Sequence, residues 1–393
     1  MAGKQPARRS IRASVLVGVG FLVAWQAAHF ASYPRATIVA LALYGFVFHV
    51  IFGKAYALIP SYFERQLISP WGPRIQLPLT TVGAVLLSLD PLVNANSSEI
   101  GALLWAGGAL AFLITIILTL DTNILGAQTG TGRANIHRQQ IDRIANAFVP
   151  VALLYFLLGT YETIAAVFLF PSLFDSLQLQ AIHLLAAGMA TLLVFIMSCR
   201  LLPRFFAATA AKIPILIMLV AGAIAPALLV TGFSRPALLH LGGFFLWTGF
   251  LAYLVHISIL YSRSDRQRVG LQIVGLGSLA GFVGASLGLL LIVSNLSLPL
   301  VEVHYRMMLL GFLGLTIIGV LCQFYPPGIS TYTGISDRGA RFATGAIVGG
   351  IGLESTGILL DEPILLNAGV LCALAGCCWV AWAMFGLTYE HGF

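Results

Sequence analysis

Three ionisable residues lie together where a long apolar stretch begins. Glu302, His304 and Arg306 alternate along the chain and precede an apolar run over 307–325. About 20 apolar residues form a helix that spans the hydrocarbon core of a bilayer. Ionisable groups at membrane depth are costly and mark candidate binding or catalytic sites. This segment is therefore the first place to look for chemistry.

Histidines recur in the other apolar stretches, and imidazole is a common ligand of haem iron and copper. The five candidates, from five predicted helices on one side of the membrane, are His29, His49, His183, His240 and His304. The depth of His49 stays open. Counted from Arg35 it lies deeper, whereas counted back from Arg65 it matches His183. A hydrogen bond between helices is the alternative role for each histidine.

A ligating imidazole needs a partner for its second nitrogen. The carboxylates predicted at similar depth are Glu162, Glu302, Glu354 and Asp90. The cations predicted on the same side are Arg35, Arg235 and Arg306. Arginines suit acidic groups such as haem propionates, although Glu302 and Arg306 also fit as interfacial residues. Lys54, one turn after His49, fits either a side chain that snorkels inward or a proton path.

Transmembrane helices must position these residues. Hydrophobic residues make up 59% of the 393 positions, charged residues 9%, and the mean hydropathy is +0.94. This leaves too little polar surface to cover a soluble globule. We predict an all-α polytopic membrane protein, with a single membrane domain over 1–393. The twelve predicted spans are 14–33, 36–62, 76–94, 100–122, 145–170, 179–201, 212–232, 236–261, 270–294, 302–325, 340–360 and 364–386.

Lys and Arg are distributed unevenly between the two sides of these spans. With a cytoplasmic N-terminus, the inner segments collect all but four of the 21 Lys and Arg residues. The outer ends keep Arg35, Arg235 and Arg306, and Lys54 lies within the second span. The asymmetry predicts cytoplasmic termini in a multi-pass protein of the inner (plasma) membrane. It also accounts for the net charge of +7 without a nucleic-acid partner, so the expected partner is the lipid bilayer.

Weak internal similarity predicts three pseudo-symmetric repeats of four helices. The fourth helix of each group contains a related segment: Leu103-Leu-Trp105-Ala-Gly-Gly-Ala, Leu238-Leu-His240-Leu-Gly-Gly-Phe and Leu365-Leu-Asn367-Ala-Gly-Val-Leu. The second helices align through His49, His183 and His304. The repeats are predicted at approximately 14–135, 136–262 and 263–393.

The tenth predicted span resembles the tenth helix of haem-copper oxidase catalytic subunits. The resemblance rests on His304-Tyr-Arg306, the Gly-rich run 310–319 and the ending Gln323-Phe-Tyr-Pro326-Pro. That family also has twelve helices in three arcs and a haem-ligating histidine in its second helix. The resemblance implies haem ligation by His49 and His304, with Arg306 in place of the family's second histidine. The sequence lacks His-Pro-Glu-Val-Tyr in helix six and adjacent histidines in helix seven, so the oxidase copper triad is absent.

A looser resemblance covers most of the chain. Twelve helices, scattered histidines and Gly-rich helices ending in Pro are similar to the NnrS family, which are haem- and copper-containing membrane proteins connected with nitric oxide and denitrification. That family's early His-x-His-Glu segment is replaced here by Phe48-His49-Val50. The chain is identified as a divergent relative of the NnrS and haem-copper oxidase group.

The resemblance implies a haem b protein, with copper as a second candidate metal, in nitric oxide, denitrification or respiratory electron-transfer chemistry. In addition to the haem ligands, His183, His240 and His29 are then candidate metal ligands, and Arg306 and Arg235 hold propionates. Glu162, Glu302 and Glu354 support the histidines. If the protein is an enzyme, it is a haem-dependent oxidoreductase. The candidate protein partners are a redox protein or other membrane subunits. The alternatives are a secondary transporter and a non-catalytic assembly or scaffold subunit.

Overall fold

A computed structural model describes residues 4–90, 92, 96–168, 170–174, 177–294 and 298–392. All regular structure within these ranges is helical. Residues 91, 93 and 94 of the predicted span 76–94, and residue 169 of the span 145–170, lie outside the described residues.

Twelve long helices occur in the described part of the chain, and the second, sixth and tenth each consist of three consecutive segments. They are α1 (Lys4–Phe30), α2 (Arg35–Val39, Ala40–Val47, Phe48–Tyr62), α3 (Trp71–Leu89), α4 (Ser97–Leu120), α5 (Val149–Phe168), α6 (Leu177–His183, Leu184–Thr191, Leu192–Phe205), α7 (Lys212–Gly232), α8 (Pro236–Ser262), α9 (Val269–Ser294), α10 (Leu298–Arg306, Met307–Gly314, Leu315–Phe324), α11 (Asp337–Leu360) and α12 (Pro363–His391).

Eleven of these helices are long and apolar enough to cross a membrane. The exception is α3, which carries Arg74, Gln76 and two prolines in its first half and is therefore less apolar. The outward faces of the bundle expose large apolar side chains, including Leu103, Ile114 and Phe244. Helices satisfy their own backbone hydrogen bonds, which hydrocarbon requires. The structure is that of a polytopic membrane protein.

Nine helices form a ring around the other three. Consecutive helices pair, from α1 with α2 to α11 with α12, and the ring closes where α4 meets α5, α8 meets α9 and α12 meets α1. The middle segment of the inner helix α2 meets the middle segments of the other two inner helices, α6 and α10. Side chains that they direct inward are therefore removed from both lipid and water.

The middle segment of each inner helix is π-helical. These segments are Ala40–Val47, Leu184–Thr191 and Met307–Gly314, and each is continued by an α-helical segment. A proline stands at or just beyond the end of each inner helix: Pro60, Pro203 and Pro326. π-Helical turns widen the helix locally and are frequent at functional sites. The π-helical segments provide a common reference for depth along α2, α6 and α10.

The two ends of the bundle differ in charge. We call the end that carries Arg8, Arg12 and Arg200 the basic end, and the end that carries His29 and Arg35 the opposite end. The names refer to position in the bundle, and the orientation in the membrane stays a prediction.

A buried ion cluster holds the basic end together. Asp142, on the short helix Gln139–Ala147, lies 2.7 Å from Arg204 Nη2 and 3.4 Å from Arg200 Nη2. Arg200 also donates to Asn146 Oδ1 (2.6 Å) and to the Tyr62 carbonyl (2.8 Å). Asp142 and Arg200 are almost inaccessible to solvent. The cluster joins the ends of α2 and α6 to the connection between α4 and α5.

We predict that Asp142→Asn destabilises the protein. The substitution keeps the size of the side chain but leaves Arg200 buried without a carboxylate, which costs about 3 kcal/mol or more. The measurement is the free energy of unfolding in mixed micelles. Asp265→Asn, which removes an exposed carboxylate, is the matched control. Equal stability of the two variants would contradict a structural role for this cluster.

Candidate functional site

Glu354 of α11 is the centre of a buried polar cluster toward the opposite end. Its Oε1 accepts a hydrogen bond from His29 Nε2 of α1 (2.6 Å), and its Oε2 accepts one from Arg306 Nη2 of α10 (2.7 Å). Arg306 Nη2 also donates to Gln26 Oε1 at 3.1 Å. Glu354 and Arg306 are each 1% exposed. Three helices are therefore joined by one charged cluster inside the bundle.

A glycine allows Glu354 to lie so close to its neighbouring helix. A Cβ atom built on Gly369 of α12 would lie 2.4 Å from the Glu354 backbone nitrogen. Real Cβ atoms do not approach backbone so closely, so only glycine fits there without displacement. The contact between α11 and α12 thus sets the position of the Glu354 backbone.

Glu302 and Arg35 form an ion pair with each other. Both are partly exposed, with side-chain accessibilities of 29% and 49%. Glu302 had been expected to support His304, but the structure turns it toward the start of α2. An exposed pair of this kind contributes little to stability. It is better described as an interfacial contact than as part of a buried site.

His49 is fully buried, and both ring nitrogens have protein partners. Nδ1 lies 2.6 Å from the Gly45 carbonyl oxygen, within the π-helical part of α2. Nε2 lies 3.1 Å from Thr81 Oγ1 and 3.2 Å from Thr80 Oγ1. His49 thus makes a contact between α2 and α3. Haem ligation by His49 would require one of these hydrogen bonds to break, and it stays a prediction.

The other three histidines share one hydrogen-bonding arrangement. The Nδ1 atoms of His183, His240 and His304 lie 2.8, 2.6 and 2.8 Å from the carbonyl oxygens of Leu179, Pro236 and Gly284, respectively. Among the described residues, no hydrogen-bond partner meets their Nε2 atoms. A histidine that binds a metal through Nε2 commonly donates Nδ1–H to a carbonyl in this way.

The remaining predicted site residues have separate surroundings. Glu162 of α5 accepts from Ser172 Oγ (2.7 Å) and from the Leu173 backbone N–H (2.8 Å), so it organises the connection that follows its helix. Arg235 is exposed immediately before α8. Neither residue meets a histidine in the hydrogen bonds or ion pairs described.

The histidines do not lie at one level. His49 follows the π-helical segment of α2, whereas His183 and His304 precede those of α6 and α10. Relative to these segments, the rise of a helix places His49 on the order of 10 Å deeper in the bundle than His183 and His304. This favours the deeper of its two predicted positions. In the part of the chain that the structure describes, no three His, Cys, Asp or Glu side chains form a group that could hold a metal ion.

A second candidate site surrounds Lys54. An apolar cavity of about 100 Å³ lies between α2, α6 and α10, mostly beyond their π-helical segments, and Lys54, Met197 and Val320 line it at one level. Lys54 also lines a neighbouring cavity of about 360 Å³ at the basic end, together with Arg8 and Arg12. The amine of Lys54 therefore lies at the boundary between an apolar and a basic space.

Lys54 interacts with aromatic groups rather than with a carboxylate. Its Nζ donates to the Tyr325 hydroxyl (3.0 Å) and lies 4.2 Å from the ring centroids of both Phe324 and Tyr325. No described Asp or Glu forms an ion pair with it. A cation–π contact stabilises an ammonium group only partly after desolvation. The amine keeps the capacity to bind an anion.

Some residues of these sites had no predicted role in binding. Trp25 and Gln26 belong to the polar cluster, and their spacing from His29 puts them near one face of α1. Gln26 is a polar residue within an apolar span, and this feature of the sequence could have identified it as a candidate site residue. Arg8 and Arg12 had served only as indicators of orientation. Their proximity to Lys54 depends on how α1 packs against α2 and was not visible in the sequence.

We predict that Glu354→Gln lowers the free energy of unfolding by about 3–5 kcal/mol, because Arg306 is left as an uncompensated buried charge. The double substitution Glu354→Gln with Arg306→Met removes both charges and should cost less than Glu354→Gln alone. Unfolding in mixed micelles measures both effects, and exposed Glu362→Gln is the control. If the double substitution costs as much as the separate losses from Glu354→Gln and Arg306→Met added together, the pair is not coupled.

Comparison with models of known protein families finds no match for this chain. Comparison with curated proteins likewise finds no match.

Proposed function

We propose that this protein binds an organic anion with an apolar body inside its transmembrane bundle and carries it across the membrane as a secondary transporter. The observation that carries the proposal is the position of Lys54. Its amine has no carboxylate partner among the described residues, and it separates a central apolar cavity from a cavity that also contains Arg8 and Arg12. Ionisable residues inside a bundle commonly mark substrate or ion pathways.

The chemistry of the two cavities supports this substrate class. The side chains that line the central cavity are almost all aliphatic, with Ser198 and Thr316 as the hydroxyl groups. An alkyl chain would gain from burial there. An anionic head group would neutralise Lys54 and would meet the arginines of the basic end. An amphiphilic sulfonate, carboxylate or phosphate combines both features.

The arrangement of the helices also supports a threefold repeat as a proposal. Each predicted group contributes two pairs of adjacent helices, and the second helix of each group is an inner helix with a π-helical segment. With the basic end placed in the cytoplasm, the positive-inside rule orients both termini there. The basic cavity beside Lys54 would then open toward the cytoplasm of a cell with this protein in its inner membrane.

We predict that Lys54→Met lowers the uptake of decanesulfonate, at concentrations below saturation, by proteoliposomes that contain the purified protein. A sulfonate stays charged and does not cross a lipid bilayer readily, so uptake requires the protein. The loss of one charge-assisted contact should weaken substrate affinity at least about tenfold. Lys212→Met removes an exposed lysine and should leave uptake unchanged. Absence of uptake by the unaltered protein would overturn the transport proposal.

Haem binding is a second proposal, favoured by one specific observation. His183, His240 and His304 each use Nδ1 in a bond to a carbonyl, which suits a ligand that binds iron through Nε2. A bound haem b would supply redox chemistry, and the histidines would hold its iron. Copper is the other candidate at these residues. His49 does not support this proposal in its described position.

Optical spectra of the purified protein, before and after reduction with dithionite, test the haem proposal together with metal analysis. We expect a Soret band that shifts on reduction and that His304→Ala removes. His137→Ala, which alters a histidine in the exposed connection between α4 and α5, should leave the band unchanged. A featureless spectrum without iron or copper, from protein expressed with ample haem, would reject this proposal.

A further inference from the structure

Buried hydrogen-bonding atoms without protein partners surround the Arg306–Glu354 pair. Arg306 makes its described hydrogen bonds through Nη2 alone. Among the described residues, no partner meets five atoms around this pair: Trp25 Nε1, Gln26 Nε2, His29 Nδ1, Arg306 Nε and Arg306 Nη1. A buried polar atom that is left unpaired costs free energy. Five such atoms around one ion pair therefore require an explanation.

These atoms belong to side chains that are in direct contact. Gln26 accepts from Arg306, the Arg306 guanidinium carbon lies 5.5 Å from the Trp25 ring centroid, and His29 shares Glu354 with Arg306. Trp25, Gln26 and Arg306 are at least 99% buried. The unpaired atoms consequently face the interior between α1, α10 and α11 rather than the bilayer.

The chemistry of the unpaired atoms selects the ligand. The indole, amide and guanidinium atoms are all hydrogen-bond donors, and only the His29 nitrogen changes its role with protonation. A water molecule can accept from these donors, but it must also donate its own two hydrogens. Glu354 Oε1, Glu354 Oε2 and Gln26 Oε1 each accept one bond already, so a water at this place would have to share an acceptor that is in use. An anion accepts several hydrogen bonds and has no hydrogen to place.

The charges of the cluster do not repel an anion. Arg306 and Glu354 neutralise each other, so the group has no excess negative charge to repel a ligand. Bonds from a guanidinium to an anion are stronger than bonds between neutral groups. A compact ligand is required because the surrounding side chains are tightly buried.

We propose that Trp25, Gln26 and Arg306 form a binding site for a small monovalent inorganic anion of the size of chloride or nitrate. The site lies between α1, α10 and α11 toward the opposite end, whereas Lys54 lies on α2 beyond its π-helical segment. The two sites use no residue in common. The anion site therefore stands or falls independently of the transport proposal.

Equilibrium binding of radiolabelled chloride to the purified protein tests the proposal, with unlabelled nitrate as a competitor. We expect saturable binding at close to one site per chain. Trp25→Phe removes only the indole N–H from the cluster and should weaken chloride binding about tenfold, the effect of one hydrogen bond to a charged ligand. Trp382→Phe, at an exposed tryptophan, is the matched control and should bind as the unaltered protein does.

Gln26→Leu provides a second variant, because it removes two donor hydrogens and should weaken binding further. The unfolding midpoint of each variant without chloride shows whether the fold is retained, and binding is compared among folded variants. Absence of saturable chloride binding to the unaltered protein would overturn the proposal and assign the donors to water. Equal binding by folded Trp25→Phe and Trp382→Phe would also overturn it, because the chloride would then be bound elsewhere.

Discussion

A charge inside a helical bundle in a membrane must be neutralised by the protein, because hydrocarbon offers it no partner. Glu354 meets this requirement for Arg306, and it holds α11 against α1 and α10 at the same time. Asp142 does the same for Arg200 at the basic end. The two clusters use different residues but follow the same rule, since burial makes each carboxylate indispensable to the arginine beside it. One cluster joins the inner helix α10 to α1 and α11, and the other joins the inner helices α2 and α6.

The three inner helices provide the space in which these charges act. Their π-helical segments meet near the centre, and the cavity beyond them is lined by side chains from α2, α6 and α10 at matching levels. Helices in close contact usually leave little space. At the cavity, the side chains of the three inner helices leave part of the space between them unfilled. Lys54 is positioned at its boundary by the aromatic residues at the end of α10.

The polar groups of the bundle divide into two chemical types. Near Arg306, the unpaired atoms are mainly donors and their surroundings are tightly packed. Near Lys54, a single cation faces an apolar cavity and two arginines. The first environment suits a compact anion, and the second suits an anion with an apolar body. Four of the histidines follow neither pattern, because a backbone carbonyl or a hydroxyl holds each of them: His49, His183, His240 and His304.

The amino-acid sequence by itself determined the helical class and the approximate bounds of twelve helices, because hydropathy over some 20 residues is a local property. It also identified Glu354, Arg306 and Lys54 as unusual, since charges in apolar spans are conspicuous. Only the tertiary structure decided their partners. Helix rotation and packing bring Glu354 to Arg306, direct Glu302 to Arg35 and place His49 below His183, although the sequence spacing had allowed the two histidines to align. Such contacts join residues far apart in the chain, so no local pattern encodes them.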